Sequence, residues 1–469
     1  MRSSLILVLL VLLFACNTTS SNEVIDGILE VPENRKKSNS RTLKLVYKVL
    51  KAKKANTQKA PIVFLQGGPG GPTVIEAEFW KNHPLRNNRD IILMDQRGTG
   101  ASEANCIEIG DAMFTIMRQD LDNEGEIRAL NSIFSECKKS MKKDEVDLAG
   151  YTSKENAADF EDLRKALGYE KWNLFGVSYG SRLGLTIMRD FPNSIRSTVF
   201  TGIFAPETDI LKENIPNLEN SLFTVLERCE KNENCNKRYP NLKERLLKAI
   251  KKLQSDPLHF DYEGKLFVLN RQDALTILIL HLYDRRSIGN IPLLIEAFEN
   301  GETESLLYAI KAIENLSNYI NWPMNYSVMA YEELPFYDEL AMIESIKRSE
   351  IAFNLSMSSE LGIGLLKNWH SYRASEIENQ AVVSEIPTLM VSGGLDHVTP
   401  VSNAKEAIKH LKNGYELIFS DEGHNLFNPC FFQIVEDFLN HPTQRPNTEC
   451  SSEKKPIKWN LTMPDQKKN

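Results

Sequence analysis

The stretch WNLFGVSYG at residues 172–180 combines the pattern of a buried strand with a serine between two glycines. Residues 172–177 form a short apolar run, and a helical pattern follows the second glycine. A serine at a tight turn between a strand and a helix has a strained backbone, and glycines beside it remove side chains that would clash there. The order of strand, glycine-bounded serine and helix predicts that Ser178 is a nucleophile. The alternative is a glycine-bounded turn whose serine only caps the helix.

Other short apolar runs lie on both sides of this stretch, and they lack the alternation of half-exposed strands. Such runs are typical of parallel strands that helices bury on both faces. A helical pattern at residues 154–167 ends at Gly168, a common residue at helix C-termini. We therefore predict an α/β fold with a mostly parallel central sheet. Its predicted strands are 62–65, 91–94, 172–177, 198–203, 388–391 and 417–419.

The pattern changes between about residues 206 and 385, where apolar residues recur with helical spacing. Strand-like runs resume afterwards. We therefore expect an α/β core formed by residues 16–205 and 386–450, with a helical cap inserted at 206–385. The lysine-rich segment 451–469 is expected to be a solvated C-terminal tail.

The composition is that of an ordinary globular protein, since 42% of the 469 residues are hydrophobic and 25% are charged. These values exclude disordered, fibrous and multi-span membrane proteins. The net charge of −7 argues against a general nucleic-acid-binding protein, because phosphate contacts require a basic surface.

The N-terminus has the pattern of an export signal. Arg2 precedes ten apolar residues, 5–14, which are too few to span a bilayer as a helix. The tetrapeptide LFAC at residues 13–16 resembles the bacterial lipoprotein box, in which the cysteine is lipidated and becomes the new N-terminus. We expect a signal peptide at residues 1–15 and a lipid anchor on Cys16 that holds the protein at the bacterial cell envelope. An ordinary signal peptide cleaved nearby is the alternative.

Six cysteines remain besides Cys16, and an even number in an exported chain suggests disulfides. No C-x-x-C pair is present, so we expect no zinc, redox or other metal site. Six cysteines allow 15 pairings, and three reduced pairs in the core are a further alternative. Proximity in the sequence favours the pairs Cys106–Cys137, Cys229–Cys235 and Cys430–Cys450.

A serine nucleophile requires a base, and the base requires an orienting carboxylate; in this fold class their chain order is Ser, Asp/Glu, His. Of the eight histidines, His424 lies in a short polar loop directly after a predicted strand. Asp396 also follows a strand, so both residues should lie at the sheet edge that carries Ser178. Asp421 and Glu422 are competing carboxylates, but they are too close to His424 in sequence to support its ring easily. The alternatives are a turn aspartate and a surface histidine.

The negative oxygen that forms during attack on a carbonyl is expected to bind two backbone N–H groups. One belongs to Tyr179, the residue after Ser178, and the other to a loop after an earlier strand. The loop QGGPGGP at residues 66–72 follows such a strand, and its glycines permit close approach. Phosphate binding is the rival interpretation, but the loop lacks the Gly-Lys-Ser/Thr ending of a phosphate-binding loop.

These motifs resemble the proline iminopeptidase and tripeptidyl aminopeptidase branch of the α/β-hydrolases. Residues 66–70 are similar to its H-G-G-P-G loop, with Gln66 in place of the histidine, and residues 95–100 to its D-Q-R-G-x-G segment. Residues 176–180 match its G-x-S-Y-G elbow. The segment with Asp396 and Thr399, and the dipeptide Gly-His at 423–424, resemble its remaining motifs.

The resemblance implies an α/β-hydrolase fold with an inserted helical cap and no cofactor. It implies Ser178, Asp396 and His424 as a catalytic triad, with Gly68 and Tyr179 as donors to the oxyanion. The implied activity is release of residues or short peptides from peptide N-termini through an acyl-enzyme. An esterase or an amide or lactone hydrolase on the same fold is the alternative. A catalytically inactive binding protein is a minor one, because no triad member is missing.

The segment VMAYEE at residues 328–333 resembles the cap of the tripeptidyl subgroup. A free peptide N-terminus is cationic, and its burial requires a carboxylate or carbonyl partner. We therefore expect Glu332 or Glu333 to face the Ser178 pocket and bind the substrate amine. The alternative is that both are solvated surface charges. Asp95 and Arg97 are expected to brace the loop beside the site.

Overall fold

The computed structural model describes residues 23–54, 59–352, 360–452 and 456–461. The predicted signal peptide and Cys16 lie outside these ranges. Within them, no helix is both long enough and apolar enough to cross a membrane.

A twisted eight-stranded sheet forms the centre of the structure. Its strands are β1 Val24–Pro32, β2 Thr42–Leu50, β3 Lys59–Leu65, β4 Arg89–Met94, β5 Trp172–Val177, β6 Ile195–Thr201, β9 Thr388–Gly393 and β10 Gly414–Phe419, and a separate hairpin is formed by β7 Leu258–Tyr262 and β8 Lys265–Leu269. The strand order in the sheet is β1-β2-β4-β3-β5-β6-β9-β10. Strands β1 and β2 are antiparallel to each other, and β2 is antiparallel to β4; the other pairs are parallel. The α/β-hydrolase fold predicted from the sequence is confirmed.

The central strands are buried on both faces, which explains their continuous apolar runs. In β3, Val63 and Leu65 pack into the core on one side of the sheet, and Ile62 and Phe64 pack into the core on the other. Both sets of side chains are almost fully excluded from solvent. All six predicted strands coincide with or overlap observed ones, although β6 starts three residues earlier than predicted and ends at Thr201.

Helices cover both faces of the sheet and form the region between β6 and β9. The helices of the core are α1 Ala77–Lys81, α2 Ile109–Met117, α3 Asn123–Lys143, α4 Ser153–Ala166, α5 Tyr179–Asp190, α16 Val401–Ala407 and α17 Pro429–Asn440. The helices between β6 and β9 are α6 Ile210–Lys231, α7 Glu233–Arg238, α8 Leu242–Ser255, α9 Arg271–His281, α10 Arg285–Ile288, α11 Ile291–Asn300, α12 Glu304–Tyr319, α13 Trp322–Glu332, α14 Glu339–Arg348 and α15 Glu360–Trp369. We call residues 206–385 the insertion.

The insertion has a hydrophobic core of its own, built mainly from α6, α8, α9, α11 and α12. Its central side chains, such as Leu246, Ile277 and Ile310, are fully buried. The β7–β8 hairpin packs on this core through Phe267 and was not predicted, because its two strands are short and partly exposed.

Three disulfides join Cys106 to Cys137, Cys229 to Cys235, and Cys430 to Cys450. These are the pairs that proximity in the sequence favours. The first links the loop before α2 to α3, and the third fastens the end of the core to α17.

The prediction of a fully solvated C-terminal tail is wrong for residues 456–461. Ile457 is buried in the core of the insertion, and Trp459 packs against it. Backbone contacts reinforce this docking, because the Asn460 N–H donates to the Gly289 carbonyl at 3.0 Å and the Tyr239 hydroxyl donates to the Asn460 carbonyl at 3.0 Å. The apolar side chains of Ile457, Trp459 and Leu461 thus cover insertion surface that would otherwise face water.

Asp95 and Arg97 hold loops next to the carboxyl edge of the sheet. Asp95 follows β4 and accepts hydrogen bonds from the Thr73 and Val74 N–H groups at 2.7 and 2.8 Å, so it fixes the chain just after the glycine-rich loop. The buried Arg97 guanidinium donates two hydrogen bonds to Asp159 of α4, at 2.8 and 2.7 Å. These contacts are structural and lie at the positions where bracing was expected.

Candidate active site

Ser178 occupies a sharp turn between β5 and α5 with φ 55° and ψ −125°. A non-glycine residue in this region costs of order 1–3 kcal/mol, so neighbouring contacts must hold it there. The Ser178 N–H donates to the Thr201 carbonyl at 2.9 Å, and the Ser181 N–H donates to the Ser178 carbonyl at 2.8 Å. The turn therefore fixes the serine backbone at the start of a helix.

The two glycines of the turn are required by close packing. A Cβ atom on Gly180 would overlap the Leu65 carbonyl of β3, and one on Gly176 would overlap the Gly180 carbonyl. The first turn of α5 therefore lies directly against the end of the neighbouring strand. Glycines are expected from the sequence at these positions for the same reason, because any larger side chain would clash at the turn.

Asp396 and His424 follow the neighbouring strands β9 and β10 and meet at the carboxyl edge of the sheet. His424 Nδ1 lies 2.8 Å from Asp396 Oδ2, and both side chains are almost fully buried. The second oxygen, Asp396 Oδ1, accepts the N–H groups of Val398 and Thr399 at 2.8 and 2.9 Å. The Thr399 hydroxyl donates to Asp396 Oδ2 at 2.7 Å.

These bonds decide the protonation of the pair. Burial acts to raise the pKa of Asp396, but the charge and hydrogen bond of His424 and the bonds from Thr399 outweigh it and hold the pKa below its ordinary value. Because an ionised carboxylate only accepts hydrogen bonds, Nδ1 of His424 carries a proton. In the neutral ring, Nε2 then has a free lone pair and can accept one.

Ser178 and His424 line one cavity of about 830 Å³ between the sheet edge and the insertion. Gly67 and Gly68 of the glycine-rich loop line the same cavity. A Cβ on Gly67 would be 3.0 Å from Ser178 Cβ, so this loop lies against the serine. Tyr179 begins α5, and its N–H has no acceptor within the helix.

Two residues beside His424 were missed in the sequence. Gly202, just after β6, has φ +60°, and a Cβ there would lie 2.7 Å from His424 Cε1. Tyr283 of the insertion packs edge-on against His424, with ring centroids 5.3 Å apart. A glycine after a strand was a detectable signal for the first, whereas no local pattern marks the second.

The insertion also fixes the loop that carries His424. The Asn425 N–H donates to the Tyr283 carbonyl at 2.7 Å, and a side chain on Gly423 would overlap the Leu282 carbonyl. Tyr283 also contacts His397, whose pKa burial lowers to about 4, so His397 is neutral near pH 7. The position of His424 thus depends on the core and on the insertion together.

Glu332 and Glu333 are placed differently from both sequence expectations. Neither lines the Ser178 cavity, and neither is solvated, with side chains 3% and 4% exposed. Each carboxylate lies 2.8 Å from the buried Arg182 guanidinium of α5. Glu332 also accepts the N–H and hydroxyl of Ser153, at 2.6 and 2.7 Å. A buried arginine thus holds both carboxylates, and sequence reasoning had not considered Arg182.

Two family models match the chain. Residues 60–237 match a model described as alpha/beta hydrolase fold, and residues 361–450 match one described as TAP-like protein. The chain therefore has an α/β-hydrolase domain and a TAP-like C-terminal region. This confirms the resemblance drawn from the motifs.

The chain is similar to several named proteins over part or most of its length. A proline iminopeptidase of Neisseria meningitidis serogroup A is 22% identical over 404 residues, which cover 84% of this chain and 94% of that protein. YuaR of Escherichia coli K12 is 29% identical over 208 residues, 42% of this chain and 39% of that protein. Serine protease Hip1 of Mycobacterium tuberculosis is 26% identical over 188 residues, 37% of this chain and 36% of that protein. The chain thus spans less than half the length of the last two.

Among solved structures, the esterase EaEST of Exiguobacterium antarcticum is 13% identical to this chain. The superposition covers 86% of this chain and 96% of the esterase, with a TM-score of 0.38.

The cluster of Glu332, Glu333 and Arg182 predicts a pH dependence of stability. Burial raises the pKa of Glu333 from 4.5 to about 7, and the charge of Glu332 adds to this rise, whereas Arg182 opposes it only in part. Between these pH values the folded state holds a proton that the unfolded chain releases, so stability falls as pH rises. The free energy of unfolding should fall by up to about 3 kcal/mol across this pH range.

Urea unfolding of the wild type and of Glu333→Gln between pH 4 and 8 tests this expectation. The Gln variant cannot titrate, so its stability relative to the wild type should rise across this window. Glu344→Gln, which alters an exposed carboxylate of α14, is the control. If the pH profiles of wild type and Glu333→Gln run parallel, Glu333 does not hold the proton.

Proposed function

We propose that the protein is an exported serine hydrolase that releases residues or short peptides from peptide N-termini. One observation carries the proposal. Ser178, in a strained turn at a helix N-terminus, lines the same cavity as His424, whose Nδ1 lies 2.8 Å from the buried Asp396. A nucleophile, a base and an orienting carboxylate at one sheet edge are the set that acyl transfer requires.

In the proposed mechanism, Ser178 Oγ attacks the carbonyl carbon of the substrate while His424 Nε2 takes its proton. Asp396 holds the His424 tautomer and stabilises the imidazolium that forms. His424 then gives the proton to the leaving amine, and an acyl-enzyme remains on Ser178. Water activated by His424 hydrolyses this ester and restores the serine.

The negative charge on the attacked carbonyl oxygen would be held by the N–H groups of Gly68 and Tyr179. Two structural features support this assignment. The glycine-rich loop lies against Ser178, and Tyr179 opens a helix whose N-terminal dipole favours negative charge. Donors of this kind contribute roughly 3–4 kcal/mol each to the transition state.

A peptide substrate is favoured over a simple ester by the comparisons. A relative that matches most of this chain is named a proline iminopeptidase, and a partial match is named a serine protease. The cavity of about 830 Å³ is large enough for several residues of an extended peptide, and the insertion forms one of its walls.

Export is supported by the three disulfides, which are stable in oxidising compartments. We propose that a lipid on Cys16 holds the protein at the cell envelope, with the enzyme domain outside the cytoplasm.

The triad assignment predicts that Ser178→Ala and His424→Ala each lower kcat by about 10⁴–10⁶-fold, because removal of one triad member costs nearly as much as removal of all. A fluorophosphonate probe should label the wild type and not Ser178→Ala. His441→Ala, which changes an exposed histidine after α17, serves as the control. Normal labelling of Ser178→Ala would rule out Ser178 as the nucleophile.

The substrate class is tested with mono-, di- and trialanyl 7-amido-4-methylcoumarin, each with a free and an N-acetylated terminus. An aminopeptidase should hydrolyse the free form of at least one length at least 10-fold more efficiently than its acetylated form. The reason is that an acetylated terminus carries no ammonium group, so the buried polar groups of the amine subsite would lose their partner when such a substrate binds. Equal rates on both forms, with rapid hydrolysis of p-nitrophenyl butyrate, would favour an esterase instead.

The anchor predicts that the full-length protein made in a bacterial host partitions into the detergent phase of Triton X-114. Cys16→Ser should move it to the aqueous phase, because the acyl chains attached through Cys16 supply the membrane affinity. Identical partitioning of both forms would indicate secretion without a lipid anchor.

A further inference from the structure

The cavity that contains Ser178 is lined by three carboxylates, and two of them already have cationic partners. Asp284 pairs with Arg286 at 2.6 Å, and Glu422 pairs with Arg285 at 3.2 Å. The third is Glu76. In the part of the chain that the structure describes, no lysine, arginine or histidine lies within 4.0 Å of the Glu76 carboxylate. Glu76 is therefore the cavity carboxylate whose charge is available to a ligand.

The fold holds Glu76 in place beside the serine. It ends a short 3₁₀ turn, Val74–Glu76, that follows directly on the glycine-rich loop, and the first N–H of this turn is fixed by Asp95. Glu76 is half-buried, and this burial raises the pKa of its carboxyl group, an effect that the neighbouring Tyr319 hydroxyl partly offsets. A carboxylate that has lost part of its hydration gains more from a cation than an exposed one does.

Hydrogen bonds connect Tyr319 of the insertion to the glycine-rich loop that lies against Ser178. Gln66 Oε1 accepts the Gly67 N–H at 2.9 Å, and Gln66 Nε2 donates to the Tyr319 hydroxyl at 3.0 Å. The Tyr319 hydroxyl in turn donates to the Pro72 carbonyl at 3.4 Å, and both Tyr319 and Glu76 line the cavity. Gln66 stands where the similar family has histidine. Its amide oxygen is held by the Gly67 N–H, so its amide nitrogen is directed toward the Tyr319 hydroxyl. The network joins core and insertion at one wall of the cavity.

We propose that Glu76, together with the Tyr319 hydroxyl, binds the N-terminal ammonium group of the peptide substrate. This inference rests on the proposed function and replaces the expected role of Glu332 and Glu333, which are held by Arg182 outside the cavity lining. An ammonium group has three donors, and a carboxylate with a neighbouring hydroxyl oxygen can accept two of them. The scissile carbonyl must reach Ser178 at the same time, so the separation of the two sites sets the number of residues released.

An apolar surface in the same cavity fits this placement. Phe79 and Phe427 are stacked with ring centroids 5.9 Å apart, and each is about two-fifths exposed. Both line the cavity. Phe79 lies three residues after Glu76, so a substrate bound by its ammonium group would have aromatic surface available for its side chains.

Glu76→Gln is the test, because the amide is nearly isosteric and cannot hold a negative charge. The matched control is Glu78→Gln, two residues away, whose side chain is 83% exposed and pairs with Lys81. The free and N-acetylated alanyl coumarin substrates of the length that the wild type prefers are the probes. Glu76→Gln should lower the free-to-acetylated ratio of kcat/KM by about 10–100-fold, the range expected for loss of a charged hydrogen bond. Glu78→Gln should leave this ratio unchanged.

The rate of fluorophosphonate labelling shows whether Ser178 is still correctly placed in each variant. Tyr319→Phe is a second, independent variant, and it should lower the same ratio by a smaller factor. A wild type without preference for the free terminus would overturn the proposed function and this inference together. A wild-type preference that both variants retain would overturn the role of Glu76 alone. If Glu76→Gln lowers kcat/KM only for an N-acetyl-lysyl substrate, Glu76 binds a side-chain cation, and the assignment to the N-terminal ammonium group is overturned.

Discussion

The packing of the first turn of α5 against the end of β3 is the constraint on which the site depends. Gly180 lies so close to the Leu65 carbonyl that no side chain fits, and the chain can enter the helix only through the strained conformation of Ser178. The same packing brings the glycine-rich loop, which begins directly after Leu65, against the serine. One steric contact thus brings together the serine, the start of a helix and the glycine-rich loop. The parallel strands β9 and β10 then place Asp396 and His424 at that same edge.

The insertion is part of the site and not only a cover over it. Tyr283 packs on His424 and its carbonyl accepts the Asn425 N–H, whereas the Tyr319 hydroxyl accepts a hydrogen bond from Gln66 of the glycine-rich loop. Movement of the insertion relative to the sheet would therefore change the support of the histidine and of the glycine-rich loop together. We infer that the insertion fixes the geometry on both sides of Ser178, which is a stricter role than control of substrate entry.

The sequence predicted the elements whose signal is local. Strands such as β3 read as continuous apolar runs because both faces are buried, and Asp396 and His424 were identified because each follows such a strand. Strands β1 and β2 were missed, because they are antiparallel strands at one edge of the sheet and their alternating, partly exposed side chains form no apolar run. The pairing of Glu332 with Arg182 was missed for a different reason. The two residues are 150 positions apart, and only the packing of α13 on α5 brings them together.

The distribution of charge explains why the cavity wall, and not the acidic pair of α13, is the place for a cationic substrate group. Arg182 neutralises one of the two glutamates at the C-terminal end of α13, and burial keeps a proton on the other at pH values below about 7, so this cluster has little net charge to offer a ligand. Glu76 has the opposite arrangement, since it lines the cavity, has no cationic partner in the described part of the chain, and lies near the neutral Tyr319 hydroxyl. A carboxylate with a neutral partner keeps its charge for an incoming cation, whereas one paired with arginine does not. An acidic pair in the sequence is therefore weaker evidence for amine binding than a single carboxylate without a cationic partner in the structure.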